Sequence, residues 1–132
     1  MRSKVILLAE DNPDDAFIFE IMFRRAKLPD NLKVVRDGQQ AIDWLSGKGE
    51  YADREKFPLP DIVLLDLKMP IKNGFEVLEW LRAEKQFHDL SVIILSSSDD
   101  SKDVERAHQL GIAKYFVKSP KLQDVMDYLR AI

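Results

Sequence analysis

Cysteine is absent from the chain, which excludes a disulfide framework and a thiolate metal centre and fits a reducing, cytoplasmic setting. Histidine is scarce as well. The two that occur, His88 and His108, read as a loop residue and a helix residue away from the other polar landmarks, so neither a catalytic triad nor a zinc site is expected. No apolar run approaches membrane-spanning length, and the opening MRSKVILLAED turns acidic too soon for a secretory signal. Positive charge is in deficit: 20 Lys and Arg against 23 Asp and Glu leave a formal net charge of -3, which argues against a nucleic-acid partner, since phosphates call for clustered cations. The pair Arg24-Arg25 then reads as a solvated helix end. With 132 residues and 45% hydrophobic content, the chain suits one domain, 1–132, able to build its own core.

What the chain does have is three separated hydrophobic runs that end in charge: VILLAED closes on Glu10-Asp11, DIVLLD on Asp66, and YFVK on Lys118. Runs apolar on both faces read as buried parallel strands, whose carboxyl ends share one edge. Strand-like and helical patterns alternate throughout, the signature of an α/β chain built from βαβ units. Five strands are expected, at Lys4 to Ala9, Leu32 to Val35, Asp61 to Leu65, Ser91 to Leu95 and Ile112 to Val117. Five helices follow them. Asn12-Pro13 suits an N-cap and first helical residue, with Asp14 and Asp15 in the electropositive first turn of a helix running to about Ala26. Gln39 to Leu45 forms a short helix entered through Asp37-Gly38, and Gly47 to Pro60 reads as a long loop. Asn73-Gly74 opens a helix with Val77, Leu78 and Leu81 on one face. A fourth helix carries Val104, Ala107 and Leu110 and is stopped by Gly111. Ser119-Pro120 precedes the last, with Leu122, Val125, Met126 and Leu129 at helical spacing.

Three carboxylates at neighbouring strand ends repel one another unless a cation sits among them. Oxygen-only ligation points to Mg2+, which is commonly held by one or two carboxylates together with phosphate oxygens. Given a phosphoryl group, Asp66 can attack phosphorus and form an aspartyl phosphate. Lys118 can hold a phosphoryl oxygen as a point charge, and Ser96, just after the fourth strand, can donate to another. Each residue taken singly has a plainer reading: helix-start acids for Glu10-Asp11, a turn residue for Asp66, a solvated strand end for Lys118, and loop or cap chemistry for Ser96. Placing all of them at one edge is what favours the chemical reading.

These elements, with LLAED at 7–11, VLLDLKMP at 63–70, Asn73-Gly74, VIILSS at 92–97 and Tyr115-Phe116-Val117-Lys118, resemble the receiver domains of two-component response regulators over essentially the whole chain. The resemblance implies a flavodoxin-like, doubly wound five-stranded parallel sheet of order 2-1-3-4-5. It implies Asp66 as phosphoacceptor; Asp11, Asp66 and the Lys68 backbone carbonyl as direct Mg2+ ligands; and Glu10 acting through bound water. Ser96 and Tyr115 become the switch pair, Lys118 the phosphoryl-binding lysine, and a phosphohistidine on a sensor histidine kinase the donor. Such a domain catalyses only its own phosphorylation and dephosphorylation.

Two departures stand out. Ser119 separates Lys118 from Pro120, so a cis peptide at the Lys118-Ser119 joint would carry the cost of a non-proline bond. Lys68, two residues past the acceptor, places a cation beside the water path; with Ser98 it is expected to tune the lifetime of the phosphorylated form. The chain stops after its fifth helix, so output is expected through protein contact or onward phosphotransfer. Within the family, VVRDG at 34–38, Trp44-Leu45 and Tyr51-Ala52-Asp53 resemble the small regulators paired with bacterial phytochrome kinases. Phe17 and Ile21 exceed what one buried helix face needs, which suggests that a kinase helical stem docks there. The plainer reading is an overfull core helix. A homodimer through the fourth helix, fifth strand and fifth helix follows from family habit. The enzyme rival is a Mg2+-dependent aspartyl phosphatase, but Lys68 occupies the position where a second acid would serve. A flavin-binding module would need an uncharged phosphate loop in place of Glu10-Asp11-Asn12-Pro13.

Overall fold

The structure, a computed structural model, describes residues 3–118 and 122–132. Its elements alternate along the chain: β1 (Val5–Ala9), α1 (Pro13–Arg25), β2 (Asn31–Val35), α2 (Gly38–Ser46), β3 (Ile62–Leu65), α3 (Gly74–Ala83), β4 (Ser91–Ser96), α4 (Ser101–Gln109), β5 (Lys114–Val117) and α5 (Leu122–Ala131), with short 3-10 turns at Gly49–Ala52 and Lys85–Phe87. All strand pairs are parallel, in the order β2-β1-β3-β4-β5. This is the flavodoxin-like arrangement expected from the motifs.

Strand alternation decides which helix covers which face. Leu7, Val63, Val92 and Ile94 point to the side covered by α2, α3 and α4, where Ala41, Leu45, Leu78 and Ala107 meet them. Ile6, Leu8, Leu64 and Ile93 point the other way, onto Phe19 and Phe23 of α1 and Val125, Met126 and Leu129 of α5. Each such Leu or Ile, fully withdrawn from water, contributes about 1.5–3 kcal/mol before entropy is charged against it. The central strands are buried on both faces, so their ends are held rigidly.

Helix entries are set locally. Asn12 Oδ1 accepts from the backbone N–H groups of Asp14 and Asp15 at 2.9 and 3.1 Å, and Pro13 follows as the first helical residue. Asp37 caps α2 through Gln40 N–H, and Asn73 and Glu76 form a reciprocal capping box at α3. Gly74 is required there because a Cβ would collide with the backbone carbonyl of Asp66 and with Leu67. The β3–α3 connection thereby folds closely over the end of β3.

Some boundaries differ from the sequence reading. β1 starts at Val5 rather than Lys4, and β3 starts at Ile62 because the Asp61 carboxylate accepts from Val5 N–H at 2.8 Å. Ser96 belongs to β4. β5 begins at Lys114 rather than Ile112, since Gly111 takes a left-handed φ of 79° and the β4–β5 ladder opens at Ile93 and Lys114. The stretch after Gly47 is tightly packed: Arg54 donates to the carbonyls of Trp44, Leu45 and Phe57 at 2.7, 2.9 and 3.1 Å, satisfying the open end of α2. Trp44, Tyr51 and Phe57 cluster with centroids 5.0 to 5.4 Å apart, Phe57 edge-on to the other two rings. The expected Ser119-Pro120 cap and the Lys118-Ser119 peptide lie outside the described residues.

Candidate functional site

Register brings the charged residues together. Ala9 pairs with Leu65, so Glu10 and Asp66 leave their strands at the same level, and Ser96 pairs with Val117, so Lys118 follows one step beyond. Backbone bonds carry the order past the strand ends: Glu10 N–H to the Val35 carbonyl at 3.0 Å, Asp66 N–H to the Ala9 carbonyl at 3.2 Å, and Lys118 N–H to the Ser96 carbonyl at 2.6 Å. Carboxylate oxygens of Glu10, Asp11 and Asp66 can all lie within 4.8 Å of one another. Glu10 and Asp66 are buried, at 2% and 5% exposure, while Asp11 faces solvent.

The Lys118 ammonium sits among the acids. It donates to Asp66 Oδ2 at 2.8 Å, pairs with Glu10 Oε1, and reaches Asp15 Oδ2 at 3.1 Å. Asp66 Oδ1 accepts the Lys68 backbone N–H at 3.1 Å, so both of its oxygens are oriented, while the Lys68 side chain is exposed. Glu10 Oε2 accepts from Asn12 N–H at 3.1 Å. Burial pushes the Glu10 carboxyl from 4.5 up to about 7; the Asp66 charge adds to this, and the hydrogen bonds from Lys118 and Asn12 oppose it. Burial by itself would lower the Lys118 ammonium, but bonds to Asp66 and Glu10 and their charges outweigh it and hold it well above the usual lysine value. An all-oxygen set with the Lys118 ammonium as counter-charge suits a hard divalent cation, since like charges this close need positive charge between them.

Ser96 is fully buried, and its hydroxyl oxygen accepts from Ser98 N–H at 3.2 Å. Ser98 Oγ donates to Asp103 Oδ2 at 2.6 Å, and Tyr115, half-buried on β5, donates to the Ser98 carbonyl at 2.7 Å. Among the described residues, every buried side-chain nitrogen and oxygen has a partner. A cavity of about 470 Å³ opens beside Lys118 toward α1, lined by Asp15, Ile18, Phe19, Leu95 and Ser97 among others. On α1 the exposed apolar pair is Phe17 and Ile18, at 63% and 49%; Ile21, expected beside Phe17, is half-buried. That shift follows from the helix phase, because Phe19 and Phe23 take the core face.

Sequence reasoning placed Glu10, Asp11, Asp66, Lys118 and Ser96 at one edge, and the fold brings them there. It read Asp15 only as a helix-start acid and did not find Asp103. The available signal for Asp15 was its place in the first turn after β1, because α1 starts at the same edge where β1 ends.

A parallel, doubly wound sheet with an acid cluster and a lysine at its carboxyl edge defines a receiver-type signalling module. The chain belongs to the response regulator receiver domain family, whose model matches residues 6–130. It is 33% identical over 129 residues to response regulator Rcp1 of Synechocystis sp., covering 98% of this chain and 86% of that protein. The Mn2+-bound form of Rcp1 superposes with a TM-score of 0.83, at 32% identity, covering 98% of this chain and 91% of that one. The phosphorylated cyanobacterial phytochrome response regulator RcpA gives 0.85 at 31% identity, over 98% and 91% of the two chains. Response regulator RPA3017, of red light signaling in R. palustris, gives 0.86 at 37% identity, over 97% and 90%. The protein is therefore a two-component receiver, a class of signalling switch, with an acid cluster of the kind that holds a divalent cation. No helix among the described residues is long and apolar enough to cross a membrane.

Proposed function

We propose that Asp66 accepts a phosphoryl group from the phosphohistidine of a sensor histidine kinase, with Mg2+ as the working cation. Asp11, Asp66 and the Lys68 backbone carbonyl are its direct ligands in this reading, and Glu10 reaches it through water. A carboxylate oxygen of Asp66 forms the P–O bond as the P–N bond to the donor imidazole breaks, and the imidazole keeps the electron pair. When bound, the cation neutralises charge between the carboxylate and the incoming phosphoryl oxygens. Lys118 moves from Asp66 to a phosphoryl oxygen, and the Ser96 hydroxyl turns from Ser98 to another. The single observation that carries the reading is Asp66, buried, with one oxygen on Lys118 at 2.8 Å and the other on the Lys68 N–H.

The switch runs from that edge to the surface. Ser96, Ser98, Asp103 and Tyr115 form one hydrogen-bonded path from the acceptor level to α4 and β5, so new bonds at Ser96 bias how Tyr115 sits. Output in this reading is a change in the protein-contact surface around α4 and β5, working in the cytoplasm. The similarity to regulators of phytochrome and red-light signalling favours a phytochrome-type kinase as donor, and the exposed Phe17 and Ile18 beside the site favour its helical stem as the partner of α1. The open edge of β5, with Val117 46% exposed, supports a homodimer through α4, β5 and α5.

The direct test is incubation with Mg2+ and a small acyl phosphate, read by intact mass. A stoichiometric, hydroxylamine-labile gain that Asp66→Asn abolishes is the expected result. Multiple turnover of phosphate esters without a stable adduct points instead to a phosphatase and rejects the proposal.

A further inference from the structure

Lys118 presents three N–H donors, and three carboxylates take them: Glu10, Asp66 and Asp15. These partners are not equivalent. Glu10 and Asp66 belong to the acid cluster suited to a cation and are nearly sealed from water, with side-chain exposures of 3% and 6%; Asp15 lies outside that cluster, at 44%. Its backbone is placed without Lys118, because the Asn12 cap holds the Asp15 N–H at 3.1 Å in the first turn of α1.

A divalent cation held by Asp66 directly and by Glu10 through water competes with the Lys118 ammonium for the same two carboxylates. Loading the cluster therefore requires the ammonium to loosen its hold there, and a buried cation left without a partner is costly. Asp15, at 3.1 Å, offers it a partner outside the cluster. It lets Lys118 keep one ionic partner while it stays in the site, ready for a phosphoryl oxygen. We propose that Asp15 is a positioning residue for Lys118, a standby partner that makes room for the divalent cation at Glu10 and Asp66. The idea rests on the reading of this edge as a cation-dependent phosphoacceptor site and adds a residue to it.

The competing account is an ordinary helix-start acid whose charge attracts any cation weakly. Asp14, exposed in the same turn, is the internal control for that account. The two differ in whether the effect passes through Lys118.

The experiment is a calorimetric titration of the full chain with MgCl2, using Asp15→Asn, Asp14→Asn, Lys118→Ala and the double variant Asp15→Asn/Lys118→Ala, each checked for cooperative melting. Asp15→Asn is expected to weaken Mg2+ binding about three- to tenfold, and Asp14→Asn less than about twofold. Lys118→Ala tightens binding, and adding Asp15→Asn to it changes nothing further. Asp15→Glu, which keeps the charge on a side chain one methylene longer, stays close to the parent chain. Equal losses in both backgrounds, an unchanged affinity in Asp15→Asn, or tighter binding there would each overturn the assignment of Asp15. Failure of the parent chain to bind Mg2+ at all would instead overturn the phosphoacceptor reading beneath it.

Discussion

The Tyr115 hydroxyl donates to the backbone carbonyl of Ser98 across 2.7 Å, joining the edge strand β5 to the loop that carries Ser96. Ser98 is itself held three times more, by its N–H on Ser96 Oγ at 3.2 Å, its hydroxyl on Asp103 at 2.6 Å and the Asp100 N–H that this hydroxyl accepts at 3.3 Å. Ser96 is therefore joined through Ser98 to a half-exposed aromatic ring on the surface. The ring and the carboxyl edge of the sheet share one hydrogen-bonded loop.

Tyr115→Phe removes that bond and keeps the ring's packing. The expected loss of stability is about 0.5–1.5 kcal/mol, measured by urea denaturation. Asp103→Asn, which weakens the charge-assisted bond to Ser98, is expected to destabilise by a similar amount, and the two losses should not add, because both act on the same loop. Full additivity would break the link drawn between them.

Lys118→Ala leaves Glu10 and Asp66 buried without their ammonium partner. The melting temperature in chelator at about pH 8 is expected to fall, by the equivalent of about 3 kcal/mol or more. Added Mg2+ should recover more stability in this variant than in the parent chain, since it meets no competing cation. Equal recovery in both would show that Lys118 does not share the cation's oxygens.

Glu10 sets a pH dependence whose sign is definite. Its folded value, about 7, lies above the unfolded value of 4.5, so its contribution to stability is whole below 4.5 and is lost as pH rises through about 7. Lys118 stays charged throughout that window because its own value is raised. Stability in chelator should therefore decline between about pH 5 and about pH 8. Glu10→Gln should flatten the slope, as read by thermal melts across that range.

Gly74→Ala pushes a methyl group into the Asp66 carbonyl and Leu67, both backbone neighbours that cannot give way cheaply. A loss of about 1–3 kcal/mol is expected, with weaker Mg2+ binding because the end of β3 shifts. Gly38→Ala meets the Lys72 carbonyl in the same way and offers an independent check on the same loop.

Phe17→Asp with Ile18→Asp tests the exposed face of α1. Both side chains stand in solvent, so melting should change by less than about 0.5 kcal/mol. Phosphotransfer from a kinase is expected to drop sharply while labelling by a small acyl phosphate stays intact. Unimpaired transfer would remove α1 as the docking face.

The edge chemistry was legible because buried parallel strands announce themselves as continuous apolar runs, and the residue that ends each run is easy to name: Glu10 after Ala9, Asp66 after Leu65, Lys118 after Val117. Helix starts were legible at Asn12-Pro13 and Asn73-Gly74, where capping is a matter of a few neighbouring atoms. Arg54 was not, because its three carbonyl partners, Trp44, Leu45 and Phe57, are exposed to it only once the chain after α2 folds back. Phe17 and Ile21 misled in part for a similar reason, as small differences in helix phase decide which side chain clears the core.

The order of polar and apolar residues along the chain was by itself enough to determine the alternating elements, the parallel sheet and which side chains end its strands, since these follow from periodicity and local capping. Only the tertiary structure decided that Lys118 is shared among Glu10, Asp66 and Asp15, and that Tyr115 reaches Ser98. Those pairings join residues from 17 to 108 positions apart, and their geometry is set by strand register and helix packing. No local pattern encodes a distance of that kind.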